Sequence, residues 1–261
     1  MSETKAEGTE RVAEATEEAG EELSQVMRHR REKLATIRER GMEPFAYNFK
    51  PTGRSSQVTE AFESAETAGT LDENGQGPSY RLGGRIVGWR DMGRSVFAHI
   101  EDVDGRIQLY FRKNVIGEES FADLSLLDAS DWIGAEGPTF RTRTGEVTVQ
   151  VESWTLLTKS LRPLPFGKAE TDPETGERVV YSGFQDQEAR YRQRYADLAV
   201  NPEVRDVFRV RSRVITALRA FLDDEGFLEV ETPVLQPLYG GASARPFVTT
   251  HNALDQTMYL R

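Results

Sequence analysis

Phe97, His99, Arg106, Gln108, Tyr110 and Glu146 have the side-chain types that handle a nucleic-acid strand. Rings stack on bases, an amide reads base edges and guanidiniums hold phosphates. Phe97 and His99 are two residues apart, and so are Arg106, Gln108 and Tyr110. A period of two puts each set on one face of a strand. Ordinary amphipathic sheets also expose isolated aromatics, so the weight of this pattern rests on the elements that carry it.

Strand-like runs cover Arg81–Arg90, Ser95–Glu101, Arg106–Arg112, Trp132–Arg141 and Glu146–Leu157, with a helix-like stretch at Glu118–Leu127. Five strands with a helix between the third and fourth is the order of an OB-fold barrel. The inward alternation is regular: Val96, Ala98 and Ile100; Ile107, Leu109 and Phe111; Val147, Val149 and Val151. By strict alternation Arg90 shares a face with Ile86 and Gly88. It joins the binding face only from a strand end or beyond a β-bulge.

The rest of the chain brackets this barrel, and the expected fold class is α+β. Residues 1–22 hold eight Glu against Lys5 and Arg11 and read as a disordered acidic tail. Residues 23–80 read as an amphipathic helix and a connector. Leu23, Val26, Met27, Leu34 and Ile37 keep helical spacing, with Gly41 as a C-cap and Pro44 as a stop. The basic residues on its other faces, among them Arg30, Lys33 and Arg40, suit either an RNA backbone or a solvated surface. The barrel is expected over residues 81–160 and a linker over 161–200, with a surface turn at Asp172–Gly176 and helix-like spacing over Gln185–Leu198. Residues 201–261 begin with Asn201-Pro202, a good helix start. Apolar residues from Val204 to Leu222 then keep helical spacing up to Gly226, and Phe227–Val230 reads as a strand closed by Pro233.

Composition excludes several classes. The chain has 261 residues and no cysteine, which rules out disulfides and thiolate metal sites. Its three histidines are not clustered, so a protein metal site is not expected. The net charge of -10 argues against a generally basic nucleic-acid binder but leaves room for a local basic face. No secretory signal or membrane span is visible, so the cytoplasm is the expected location.

A long helix, Gly226-Phe227, a strand and Thr232-Pro233 together resemble motif 1 of the class II aminoacyl-tRNA synthetases. With an OB-type barrel upstream, this points to the subgroup charging aspartate, asparagine and lysine. Three strings look like bacterial lysyl-tRNA synthetase: Leu161-Arg162-Pro163-Leu164-Pro165, the stretch Gln185–Leu198, and Gly240-Gly241-Ala242-Ser243-Ala244-Arg245-Pro246-Phe247. The resemblance covers about residues 23–261. An aspartate enzyme would be expected to carry a Glu-Gly-Ala-Arg-like string in place of Gly240–Phe247.

The resemblance implies lysine–tRNA ligation. Lysine attacks the α-phosphate of ATP, with Mg2+ offsetting phosphate charge, and lysyl-adenylate then acylates tRNA-Lys. It implies that Phe97 stacks on the central anticodon base, that Arg90 and Gln108 bond its edge, and that Glu146 accepts from a flanking uridine. It also implies that Gly240 approaches bound lysine through its backbone, and that Gly226, Phe227 and Pro233 belong to a homodimer interface. No Gly-x-x-x-x-Gly-Lys-Ser/Thr loop is present, which agrees with class II handling of ATP. Motifs 2 and 3 are expected beyond Arg261, so this chain as given is not expected to form an adenylate. The competing readings are a non-catalytic OB-type tRNA- or RNA-binding module and an aspartyl- or asparaginyl-tRNA synthetase relative.

Overall fold

The computed structural model describes residues 25–171, 178–181, 184–240 and 245–260. The acidic tail expected over 1–22, the surface turn at 172–176 and positions 241–244 lie outside these. Contacts divide the chain into two units, Met1–Ala196 and Asp197–Arg261.

The first unit is built on a barrel. Its strands are β1 (Gln76–Asp91), β2 (Ser95–Glu101), β3 (Arg106–Arg112), β4 (Trp132–Arg141), β5 (Val147–Val151) and β6 (Ser153–Thr158). They run in the order β1-β2-β3-β5-β4-β6, and β1 also pairs with β4, which closes the ring. The β3–β5 pair is parallel and the other pairs are antiparallel. Val96, Ala98, Ile100, Ile107, Leu109, Phe111, Val149 and Val151 point inward and are buried, as the alternation requires.

Two expectations about the barrel need correction. The run Glu146–Leu157 is not one strand. It breaks at Glu152, whose N–H donates to the Glu136 carbonyl at 2.8 Å, so β6 leaves β5 and pairs with the first half of β4. The crossing is close: a Cβ on Gly137 would lie 1.9 Å from the Gln150 carbonyl oxygen. The helix-like stretch Glu118–Leu127 is likewise divided, into α4 (Glu118–Asp123) and a tighter turn at Leu124–Leu126, after a short α3 (Lys113–Ile116).

Helix α1 (25–39) docks on this barrel with part of its basic face. Arg30 is buried and donates to the carbonyls of Ser160 (3.0 Å) and Ala129 (2.9 Å). Lys33 pairs with Asp128 at 2.8 Å, and Arg40 pairs with Asp123. Beneath them lies Lys159, whose side chain has no exposure. It donates to Asp131 (2.7 Å), Asp128 (2.5 Å) and the Leu126 carbonyl (2.8 Å). Burial pushes the Asp131 carboxyl above the ordinary carboxylate range, against the pull of Lys159. Burial acts the same way on Asp128, but Lys159 and Lys33 outweigh it and hold that group low.

Helix α2 (Ser55–Thr67) starts on Asp102, in the β2–β3 turn. The Asp102 carboxylate accepts from the Ser55 backbone N–H (2.7 Å) and hydroxyl (2.6 Å), and from the N–H groups of Asp104 and Gly105. Burial raises its pKa, but these four bonds together leave it below the ordinary value. The region expected to be a linker also holds a hairpin, β7 (Lys168–Thr171) with β8 (Arg178–Tyr181), and helices α5 (Gln187–Arg192) and α6 (Arg194–Val200, the last four residues of which belong to the second unit).

In the second unit, helix α7 (Pro202–Asp224) ends in a Schellman turn. The N–H of Gly226 bonds to Asp223 O and that of Phe227 to Leu222 O, with Gly226 at φ +83. Phe227–Val230 is not a strand, because it has no ladder partner among the described residues. The strands are β9 (Leu235–Gln236), β10 (Val248–His251) and β11 (Gln256–Leu260), in the order β10-β11-β9. The apolar stripe of α7 is present but uncovered: Val207, Val214, Leu218 and Phe221 are all exposed. No described helix is long and apolar enough to cross a membrane.

Candidate nucleic-acid interface

The outer face of β2 and β3 is a ladder of paired side chains. Directly opposite residues are Ser95 with Arg112, Phe97 with Tyr110, and His99 with Gln108. Opposed residues share a face of the sheet. The Phe97 and Tyr110 rings stack, with centroids 4.4 Å apart and 19° between planes. Phe140 tilts against Tyr110, with centroids 5.9 Å apart and 51° between planes.

Beside this stack lies a polar cluster. Glu146 Oε1 is 2.8 Å from His99 Nε2, and Glu146 Oε2 accepts from the Gln108 amide at 2.7 Å. The Gln108 oxygen accepts from the Thr148 hydroxyl at 2.8 Å. Gln108 is therefore largely buried and committed to protein partners, while Glu146 stays about half exposed. A carboxylate has roughly four acceptor sites. Two of those on Glu146 are occupied here, so it retains capacity for a ligand N–H.

Arg90 reaches the same face through a β-bulge. The β1–β2 register runs Ile86 with Ile100, then Gly88 with His99, leaving Val87 as the extra residue. Past the bulge the alternation inverts, and Arg90 stands opposite Phe97. The bulge sits at the corner where β1 leaves β4: Ile86 N–H bonds to Asp131 O, and Ser130 N–H bonds to Ile86 O. Gly88 leaves room for His99, since a Cβ there would lie 3.2 Å from the imidazole Nδ1.

Arg90, Phe97, Gln108 and Glu146 are thus brought to one surface, and His99 and Tyr110 join them. Arg106 is held apart by its pair with Glu101 at 2.8 Å. Arg192 in α5 pairs with Glu188, and Arg194 lies over the Tyr191 ring. In the second unit Gly240 is exposed, with nothing within 4 Å of where a Cβ would stand. Among the described residues nothing therefore crowds a side chain at position 240. Among the described residues no group of three or more His, Cys, Asp or Glu is placed to hold a metal ion.

Two family models match the chain: an OB-fold nucleic acid binding domain over residues 80–157, and the class II tRNA synthetases (D, K and N) over residues 186–261. Among curated proteins, the lysine–tRNA ligase of Pelotomaculum thermopropionicum is 45% identical over 254 residues, or 97% of this chain and 46% of that protein. The lysine–tRNA ligase of Halalkalibacterium halodurans is 44% identical over 94% of the chain and 46% of that protein. That of Carboxydothermus hydrogenoformans is 43% identical over 92% and 45%. The chain spans about half the length of the curated relatives it matches.

Proposed function

We propose that the chain is part of a class II tRNA synthetase, that it serves lysine–tRNA ligation and that its barrel reads the anticodon of tRNA-Lys. The observation that carries this reading is the stacked Phe97–Tyr110 pair set between Arg90 and the His99–Glu146–Gln108 cluster. A central anticodon base stacks on the free face of Phe97. Arg90, across the ladder, donates to its edge. Glu146, held from both sides, accepts the N3–H of a flanking uridine. Gln108 acts chiefly by fixing Glu146, because its amide is already engaged.

In the ligation reaction lysine and ATP give lysyl-adenylate and pyrophosphate, and the lysyl group then passes to a terminal ribose hydroxyl of the tRNA. Gly240 is assigned to the lysine side of that reaction. In that reaction Mg2+ would offset the phosphate charge of ATP. The uncovered apolar stripe of α7, with Gly226, Phe227 and Pro233 just beyond it, suits the isologous surface of a homodimer. The cytoplasm is the proposed location.

The test is binding of this chain to an anticodon stem-loop RNA bearing three uridines, compared with loops in which one uridine is replaced. Tenfold or greater preference for the uridine triplet is expected. Equal affinity for all loops refutes anticodon reading and favours a general RNA-binding module. Preference for an aspartate or asparagine anticodon refutes the lysine assignment.

A further inference from the structure

One rung beyond the stacked rings, the ladder opens into a cavity of about 510 Å3 whose lining includes Arg94, Ser95, Tyr110, Arg112, Lys113 and the carboxylate of Glu118. Tyr110 belongs both to this cavity and to the stack with Phe97, so the two are continuous. Two residues along a strand advance about 6.6–6.8 Å, a step suited to the adjoining nucleotide of a bound strand. The tip of the β1–β2 hairpin is tied to the end of β3 by the Lys113 N–H to Arg94 carbonyl bond at 3.2 Å, which holds the cationic side chains around one opening.

The charges here are only partly cancelled. Lys113 pairs with Glu118 at 3.0 Å. Among the described residues no carboxylate pairs with the guanidinium of Arg94 or Arg112. Two uncompensated guanidiniums therefore meet at one opening, on a chain whose formal net charge is -10. Guanidinium forks match phosphate oxygens, and neutralising a phosphate releases condensed counterions.

We propose that this cavity is a backbone-phosphate subsite that takes the phosphodiester next to the base stacked on Phe97. The proposal rests on the reading of this face as an RNA site and adds a sequence-independent anchor to it. The base-reading groups lie on one side of the aromatic rung and the anchor on the other, so one nucleotide is held at both ends.

The experiment measures affinity of the full chain for the uridine-triplet stem-loop across a salt series, using Arg94→Gln, Arg112→Gln, Glu118→Gln and Phe97→Ala. Each arginine variant is expected to bind about fivefold to tenfold more weakly to every loop sequence, leaving the preference among loops unchanged. Each should also lower the slope of log affinity against log salt by about 0.7. Glu118→Gln frees Lys113 and is expected to raise affinity about twofold to threefold. Replacing the adjoining linkage with an uncharged methylphosphonate should erase the difference between wild type and the arginine variants. Added inorganic phosphate at low millimolar concentration should not compete, since a subsite for free phosphate would be blocked by it. The subsite is overturned if the arginine variants keep wild-type affinity and salt slope while Phe97→Ala weakens binding. If Phe97→Ala is also without effect, the anticodon reading falls with it.

Discussion

Arg90 stands directly across the β1–β2 ladder from Phe97, because Val87 bulges out of β1 and inverts the alternation behind it. Hydrogen bonds to charged groups contribute about 1.5–3 kcal/mol. Arg90→Ala is therefore expected to weaken binding of the uridine-triplet loop roughly tenfold to a hundredfold, with the melting temperature unchanged. Deleting Val87 removes the extra residue but keeps Gly88 opposite His99 and Arg90 opposite Phe97, so RNA affinity should be largely retained. Fluorescence anisotropy with labelled RNA measures both, and retained affinity in Arg90→Ala removes Arg90 from the site.

Phe97 is expected to contribute by stacking. Phe97→Ala should cost about 1–3 kcal/mol of RNA affinity. Phe97→Leu keeps an apolar side chain of similar bulk but no aromatic face, and should lose nearly as much, whereas Phe97→Trp should retain binding. If Leu serves as well as Phe, packing and not stacking is the contribution.

Gln108 and Glu146 should act as a unit. Each single substitution to Ala leaves a partner short of a hydrogen bond, at a stability cost of about 1–3 kcal/mol for the buried Gln108 amide site. In a double-mutant cycle on RNA affinity the pair should show a coupling of about 0.5–3 kcal/mol. Strict additivity would mean that Gln108 contacts RNA independently of Glu146.

Lys159 is the structural keystone of the first unit. Lys159→Met leaves Asp131, whose side chain is fully buried, without its cation. Breaking a buried pair in this way costs about 3–5 kcal/mol. Burial already raises the Asp131 carboxyl, so a proton can replace the missing ammonium. The deficit, followed by urea denaturation, should therefore shrink as the pH falls toward 4 and grow as it rises. A deficit that is flat with pH would contradict this account.

Asp102 gives the opposite sign. Its folded-state pKa is depressed, so the stability it contributes is present above the unfolded value of about 3.9 and is lost as the pH falls through the lower folded value. Asp102→Asn should destabilise by about 1–3 kcal/mol at pH 7. The gap to wild type should hold down to about pH 5 and close below about pH 4. A gap persisting at pH 2 would point to lost packing instead.

The alternation in β2 and β3 made most of the barrel and its outer face legible in the sequence, because a period of two leaves no choice of face once one side is apolar. Arg90 was not placed, since a bulge leaves no local mark that distinguishes Val87 from any other strand residue. The break at Glu152 was missed for a related reason. It depends on β6 finding β4, a pairing between distant parts of the chain that the apolar pattern over 147–156 does not encode. Gln108 stands opposite His99, as the alternation requires, but its commitment to Thr148 and Glu146 is a tertiary fact. The basic side chains of α1 suited RNA and solvent equally until the structure showed Arg30, Lys33 and Arg40 spent on docking the helix.

His99, Glu146, Gln108 and Thr148 are joined to one another by hydrogen bonds. Their rotamers are frozen during folding, so binding carries little further ordering cost at these positions. The consequence lies in time. Encounter is governed by charge and diffusion and differs little between one loop and another. A loop that fits the fixed cluster stays, and one that does not finds no slack to accommodate it and departs. On the proposed reading of this surface, discrimination is expected in residence time, through the off-rate and not the on-rate.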